Sequence, residues 1–215
     1  MELVEHVQAC IVLGDKETSK LPKEASYDNL SGLSSNKVRH FFNNLCSIPK
    51  KRHLEVGIHT GSTLISAGYK NELDFIAGID NFGMPFKGNP RKELFKNLGF
   101  FNSNLPPVHI IESDCWQVNR QSLGLFDTYF YDGAHDVKSQ KRAIVHFWDN
   151  LEDEAVIVVD DFDVKNVNKG TWHGIDALRA RKKIVQHWHL RGGNATTRVN
   201  LWWGGLGVFV IDKRR

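Results

Sequence analysis

The chain has 215 residues, of which 41% are hydrophobic and 25% charged, which suits one folded domain with a sizeable core. Its net charge of +3 is small and its basic residues are mixed with acidic ones, which does not favour a nucleic-acid partner. No disulfide framework or metal motif can be recognised from three widely spaced cysteines, and reduced thiols fit a cytoplasmic protein. We expect neither a secretion signal nor a membrane span, because acidic residues stand near the N-terminus and no apolar run approaches roughly 20 residues.

The first 35 residues are polar and rich in serine, and we expect them to form a loosely structured arm or lid. Residues 36–215 form the predicted main domain, which opens with a helix at 36–46. Strand patterns then occur at 53–57, 74–80, 108–114, 126–132, 155–162, 184–190 and 204–212. Helix patterns stand between them at 61–69, 89–100, 136–148 and 171–183, with a short helix near 116–123. The last helix carries a cationic final turn.

Alternating strands and helices predict an α/β fold with a seven-stranded, mostly parallel sheet, helices on both faces and an antiparallel last strand. Ligands of such sheets bind beyond the carboxyl ends of the strands. Four carboxylates stand at predicted strand ends: Asp80, Asp114, Asp132 and Asp160. Acids gathered at one edge indicate a binding site.

The connection after the first strand, LEVGIHTGST, contains two glycines, Gly57 and Gly61, that permit a tight turn and close approach of a ligand. A dinucleotide fingerprint would be G-x-G-x-x-G, but His59 stands where its second glycine would be, which disfavours a pyrophosphate. An acid before the turn, Glu55, and one ending the second strand, Asp80, suit a nucleoside that carries an amino acid.

LEVGIHTGST together with GIDNF resembles motifs one and two of the class I S-adenosylmethionine (SAM) dependent methyltransferases, over roughly residues 50–165. The resemblance implies a Rossmann-like fold with SAM as cofactor, the glycines near the methionine part and Asp80 on the ribose. The cofactor-binding residues expected from the turn and the resemblance are Glu55, Gly57, Gly61, Ser62, Asp80, Asn81, Phe82, Asp114, Cys115, Trp116 and Asp132.

Three carboxylates, Asp132, Asp160 and Asp161, end the adjacent fourth and fifth predicted strands. They would repel one another unless a cation lay between them, and oxygen ligands favour a hard ion such as Mg²⁺. His135 follows on a loop over the same edge, and a neutral imidazole can take a proton from a hydroxyl that the metal polarises. Each of these carboxylates alone could equally cap a turn or lie in solvent.

The pattern of Asp132-Gly-x-His135 followed by Asp160-Asp161 resembles the macrocin O-methyltransferase type of sugar-modifying enzyme. That resemblance implies the three carboxylates as metal ligands, His135 and Asp132 as catalytic residues, and a sugar hydroxyl as the acceptor. Catechol enzymes place a lysine at the position of His135, which weakens a catechol reading.

Other features leave alternatives open. Trp172 and His173 could line the acceptor pocket or pack at a helix start, and His187 with His189 could bind zinc or lie on a surface. Tyr27 could close over the acceptor. A nicotinamide-dependent oxidoreductase, a non-catalytic SAM- or nucleotide-binding module and a homo-oligomer also stay open.

Overall fold

A computed structural model of the chain describes residues 2–84, 88–193 and 201–215. Its strands are β1 (Arg52–Val56), β2 (Phe75–Asp80), β3 (Val108–Glu112), β4 (Phe126–Tyr131), β5 (Leu151–Val159), β6 (Ile184–Leu190) and β7 (Leu206–Asp212). Its α-helices are α1 (Leu3–Asp15), α2 (Asn36–Leu45), α3 (Ser62–Gly68), α4 (Pro90–Phe101), α5 (Val137–Phe147) and α6 (Lys165–Ala177). No described helix is both long enough and apolar enough to span a bilayer.

The seven strands form one sheet in the order β3-β2-β1-β4-β5-β7-β6. Strands β1 to β5 pair in parallel, whereas β7 runs antiparallel to both β5 and β6. Six strands therefore share one direction, and the predicted Rossmann-like, mostly parallel fold is confirmed. The strand order reverses between β1 and β4, and this is where an open α/β sheet leaves a crevice for a ligand.

Side chains that alternate along the central strands build a core on each face of the sheet. Tyr129 and Tyr131 of β4 belong to the cluster that contains Phe147 of α5, while Phe130 faces Phe42 of α2. The second half of β5, residues 155–159, is buried on both faces, as its uninterrupted apolar sequence predicts.

The N-terminal segment is more ordered than its composition suggests. Residues 3–15 form α1, which buries His6, Val7 and Cys10. The His6 ring lies 3.0 Å from the carbonyl oxygen of Leu45 at the end of α2. The expectation of a loosely structured arm is therefore wrong for α1, because this largely apolar helix buries several of its side chains against the rest of the protein.

Helix α6 begins six residues before the predicted start and ends at Ala177. A Cβ atom on Gly170 would lie 2.5 Å from Gln140 Cβ, and one on Gly174 would lie 2.7 Å from Ile144 Cβ. These glycines resemble loop residues in the sequence, but they allow α6 to pack closely on α5. The basic run 179–183 lies beyond the helix, so the predicted cationic last turn is wrong. Only a 3₁₀ turn, Arg120–Ser122, forms where a short helix was predicted.

Candidate active site

A cavity of about 860 Å³ opens at the carboxyl ends of β1, β2, β4 and β5. Most of the predicted site residues line it: Gly57, Ser62, Asp80, Asn81, Phe82, Asp114, Cys115, Trp116, Asp132, His135, Asp160 and Asp161. Glu55 and Gly61 do not line the cavity, so the structure does not place these two where a direct cofactor contact would require them. The lining combines the predicted cofactor turn with the predicted acidic cluster in a single space.

The turn after β1 is held tightly against the end of β4. Gly57 has a φ of +92°, and a Cβ atom there would lie 1.9 Å from the carbonyl oxygen of Asp132. The Asp132 amide donates a hydrogen bond of 2.8 Å to the Val56 carbonyl. Only glycine combines this φ with so close an approach, which gives a physical reason for Gly57. Gly61, at φ +82°, instead faces Leu94 of α4.

The carboxylate of Asp80 braces two loops of the cavity. Its Oδ2 accepts a hydrogen bond of 2.8 Å from the His59 amide, and its Oδ1 accepts one of 2.6 Å from the Phe82 amide. Both of these residues have positive φ, a conformation that non-glycine residues rarely adopt. Each carboxylate oxygen keeps a second lone pair. Asp80 can therefore hold the loops and still accept a hydroxyl, a double role that the sequence did not indicate.

Glu55 lies beneath the cavity, fully buried, and acts on it through α3. Its Oε1 accepts a hydrogen bond of 2.5 Å from Thr63 Oγ1, and Thr63 lines the cavity. Its Oε2 lies 3.7 Å from the equally buried His53 Nε2. Burial raises the pKa of Glu55 well above its ordinary value, although the Thr63 bond opposes the rise; Asp132 and Asp80 add to it.

The loop after β3 forms one wall of the cavity. Asp114 Oδ1 accepts a hydrogen bond of 3.0 Å from the Trp116 amide. The guanidinium of Arg142, from α5, stacks 4.2 Å from the centre of the Trp116 ring and fixes its plane. Burial raises the pKa of the Cys115 thiol to about 12, so this thiol is protonated at neutral pH. Sequence reasoning missed Arg142, since no local pattern links it to Trp116.

Asp132, His135 and Asp161 come together across the ends of β4 and β5. One ligand atom from each lies within 4.8 Å of the others. The His135 Nε2 atom is 3.2 Å from Asp161 Oδ2 and 4.0 Å from Asp132 Oδ1. Asp132 and Asp161 raise the pKa of His135, against the opposing effect of burial. His135, which was predicted to act as a base, is therefore also in a position to be a metal ligand.

Asp160 is the buried member of the acidic group. Its side chain is 8% exposed in total, and its Oδ1 has no hydrogen-bond partner among the described residues. Burial, then Asp132 and Asp161, raise its pKa well above its ordinary value. A buried carboxylate oxygen without a donor is costly unless a cation or proton meets it. Asp160 lies outside the group of Asp132, His135 and Asp161 whose ligand atoms come within 4.8 Å of one another, so the structure does not place this predicted ligand with the other two carboxylates. The two carboxylates and one imidazole of that group, with the unpartnered Asp160 oxygen nearby, fit a hard divalent cation such as Mg²⁺.

The segment at 25–34 is held against α2, and its end reaches the cavity. The buried Arg39 of α2 donates hydrogen bonds to the carbonyls of Ala25 and Leu30 and to Ser34 Oγ, at 2.9–3.0 Å. Ser34 Oγ in turn lies 3.0 Å from Ser62 Oγ of the cofactor turn. Leu33 and Ser34 line the cavity, so the end of this segment forms part of the cavity wall.

Trp203, in the connection between β6 and β7, adds an aromatic wall that the sequence did not single out. It lines the cavity, and the Tyr27 ring lies 5.6 Å from its ring, at an interplanar angle of 40°. The next residue, Gly204, is so close to Asp161 that a Cβ atom would meet Asp161 Oδ1 at 2.0 Å. The aromatic wall thus stands beside the acidic cluster.

Two weaker predictions concerned Trp172 as a pocket residue and His187 with His189 as a zinc pair, and the structure gives these side chains other contacts. Trp172 lies within α6 and packs edge-on against His187 and Phe209, so its predicted pocket-lining alternative is wrong. His173 is exposed on the same helix. His187 stacks on Phe209, while His189 Nε2 lies 2.7 Å from Asp163 Oδ1, and no third zinc ligand joins them in the described residues.

No protein-family model matches the sequence, and no curated protein matches it either. Solved structures do match. An O-methyltransferase from Bacillus cereus in complex with SAH has a TM-score of 0.63 at 14% identity, covering 98% of this chain and 100% of that chain. An SAH-bound methyltransferase from Podospora anserina has a TM-score of 0.56 at 15% identity, covering 98% and 87%. A ribosomal protein L11 methylase from Lactobacillus delbrueckii subsp. bulgaricus has a TM-score of 0.54 at 12% identity, covering 83% and 78%.

The fold of the chain is therefore that of the SAM-dependent methyltransferases. At such low identities the similarity establishes the architecture of the sheet. What the cavity binds and transforms has to be argued from the cavity itself.

Proposed function

We propose that this protein is a SAM-dependent O-methyltransferase that uses a divalent cation, Mg²⁺ by preference, to hold the acceptor hydroxyl. The observation that carries the proposal is the contact between Gly57 and Asp132. It puts the cofactor turn and the acidic cluster in one cavity, as a transfer from cofactor to metal-held acceptor requires. The matching SAH-bound structures support SAM as the cofactor.

The residues of the cofactor half match the parts of SAM. The ribose hydroxyls would be accepted by the free lone pairs of Asp80, next to Asn81 and Phe82. The adenine would lie against Trp116, whose ring Arg142 holds in place. The methionine part would follow the turn at Gly57 towards Ser62 and Thr63, which bring the free amides of the α3 N-terminus. These assignments place the sulfonium near the end of β4.

The residues of the acceptor half hold a cation and receive a proton. Asp132, Asp160 and Asp161 would bind the cation, which as a Lewis acid lowers the pKa of a bound hydroxyl. His135 is half-exposed at the edge of this cluster and would accept the hydroxyl proton, while Asp161 and Asp132, at 3.2 Å and 4.0 Å from its Nε2, would orient the imidazole. SAM, held by the residues of the cofactor half, would supply the methyl group to the acceptor oxygen and would be left as the thioether SAH.

A sugar or similar small polyol is the acceptor that we favour. The chain has His135, and not a lysine, at the position that catechol enzymes use, and the Trp203 ring offers a flat surface to the C–H face of a sugar. The cavity volume of about 860 Å³ leaves room for a small acceptor beside the cofactor.

The decisive experiment is calorimetric titration with SAM, SAH and NAD, followed by methyl transfer from isotope-labelled SAM to a panel of sugars. We expect SAM and SAH to bind, NAD not to bind, and transfer to require Mg²⁺ and stop in EDTA. Binding of NAD without SAM would instead identify an oxidoreductase. Binding of SAM with no transfer to any acceptor, and with no effect of Asp132→Ala, would identify a non-catalytic module.

A further inference from the structure

The described side chains that line the cavity are predominantly acidic. Five carboxylates line it: Asp80, Asp114, Asp132, Asp160 and Asp161. Among the described lining residues there is no lysine and no arginine. Even with Asp160 protonated, the four remaining carboxylates would exceed the three positive charges that a divalent cation and the sulfonium of SAM would bring together.

Two arginines close to residues of the cavity lining, the buried Arg39 and the exposed Arg142, are already engaged elsewhere. Arg39 directs its guanidinium to the carbonyls of Ala25 and Leu30, and Arg142 stacks on the Trp116 ring from α5. Neither guanidinium lines the cavity. An acceptor that carried a carboxylate or a phosphate would therefore meet like charges with no cationic side chain in the described lining to pair with.

The Trp203 ring offers the acceptor an aromatic contact surface in place of an ion pair. Trp203 lines the cavity, its neighbour Gly204 closely approaches Asp161, and the Tyr27 ring lies 5.6 Å from the Trp203 ring. The negative face of an indole favours apolar C–H groups and cations over anions. The Trp203 ring and the carboxylates therefore both favour an uncharged or cationic acceptor over an anionic one.

We infer that the acceptor is an uncharged or cationic small molecule, held between the acidic cluster and Trp203, and that anionic acceptors such as phosphorylated sugars and uronic acids are rejected. This inference rests on the proposed function, since it describes the acceptor half of that same cavity. It makes Trp203 a specificity-determining residue.

Binding of three matched probes tests the inference without catalysis. The probes are glucuronamide, glucuronate and glucosamine, which share a hydroxylated pyranose ring and differ in charge. Each is titrated calorimetrically into the protein in Mg²⁺ and SAH, which cannot donate a methyl group. We expect glucuronamide and glucosamine to bind, and glucuronate to bind at least about tenfold more weakly, because one like charge nearby has an effect of this order.

Glucuronate binding that equals or exceeds glucuronamide binding would overturn the inference. So would a failure of all three probes to bind to protein that has taken up SAH, because the cavity would then not be the acceptor site described here. A failure of SAH itself to bind would instead contradict the proposed function, so the two failures are distinguishable.

Variants of Trp203 provide a second test of the inference. Trp203→Ala should weaken glucuronamide binding about fivefold or more while leaving SAH affinity unchanged, and Trp203→Phe should restore most of it, because an aromatic face is what the probe uses. Trp188→Ala, on β6 and outside this cavity, is the matched control and should leave probe binding unchanged. Equal probe affinity in Trp203→Ala and the original protein would remove Trp203 from the inference.

Discussion

His135 Nε2 lies 3.2 Å from Asp161 Oδ2, so one imidazole joins the loop after β4 to the loop after β5. Without a cation, a protonated His135 can offset the charge of Asp132 and Asp161, which is why its pKa is raised. A divalent cation in the same place would take over that role and leave the imidazole neutral. The proton acceptor of the proposed reaction would then be ready only when the metal is bound.

Asp160→Asn separates metal binding from folding. We expect Mn²⁺ or Mg²⁺ affinity to fall at least about tenfold, because a metal-binding carboxylate is lost. In EDTA we expect the variant to be more stable by about 1 kcal/mol, because a buried carboxylate beside two others is removed. Metal titration and thermal unfolding measure the two effects. Asp163→Asn, in the same loop but outside the cavity, is the control, and unchanged metal affinity in Asp160→Asn would contradict a metal role for Asp160.

His135→Ala tests the proposed proton acceptor. Turnover should slow about a hundredfold or more, as expected for loss of general-base catalysis, while SAM affinity stays nearly intact. Methyl-transfer rates and SAM titrations measure both quantities, with His173→Ala, an exposed histidine on α6, as the control. A parallel loss of SAM affinity would make His135 structural, and a parallel loss of Mg²⁺ affinity would make it a metal ligand.

Glu55→Gln should stabilise the protein at neutral pH. Burial raises the folded-state pKa of Glu55, so above its ordinary pKa the unfolded chain is ionised while the folded chain still holds the proton. Stability conferred by the protonated form is therefore lost as pH rises through this window. The glutamine can still accept the Thr63 hydrogen bond, and we expect a gain of the order of 1 kcal/mol at pH 7 with a flatter pH profile.

Urea unfolding between pH 4 and pH 8 measures the Glu55→Gln effect. Glu112→Gln is the control, since Glu112 is exposed and its ion pair with Arg91 contributes little. A lower stability of Glu55→Gln at every pH would show that Glu55 works as a charged partner of His53.

Cys115 should resist alkylation although it lines the cavity. Burial, helped by Asp114, raises its pKa to about 12, and only the thiolate reacts quickly with iodoacetamide. We expect the labelling rate of Cys115, followed by mass spectrometry, to stay low at pH 8 and to rise only in strongly alkaline solution. Rapid labelling at pH 7 that SAH does not slow would contradict this environment.

Arg39→Met should destabilise the fold by about 2–4 kcal/mol, because it leaves buried carbonyl oxygens without donors. Burial lowers the pKa of Arg39 to about 10, but the guanidinium is still charged at pH 7. Urea unfolding measures the change. Lys37→Met, which removes a surface ion pair with Asp15 from the same helix, should change stability by less than about 1 kcal/mol. Equal effects of the two substitutions would contradict the fastening role of Arg39.

Local patterns were enough to predict the sheet and the edge at which the carboxylates gather, because strand ends, glycine turns and N-caps are written in neighbouring residues. Asp136, for example, caps α5 as predicted. The contacts of Arg39 with the 25–34 segment, of Trp203 with Tyr27 and of Arg142 with Trp116 were not predictable, since they join residues far apart in the chain. The buried position of Glu55 was missed for a related reason, because its depth depends on how α3 packs on β1.

The backbone contact between Gly57 and Asp132 has one more consequence. Because no side chain separates the backbones at Gly57 and Asp132, a displacement of one loop cannot be absorbed by a rotamer change and is passed directly to the other loop. The spacing between a methyl donor on one side and an oxygen nucleophile on the other would therefore be set by main-chain atoms, independent of rotamers. A larger residue at position 57 would be expected to lengthen the transfer distance before it disturbed either ligand on its own.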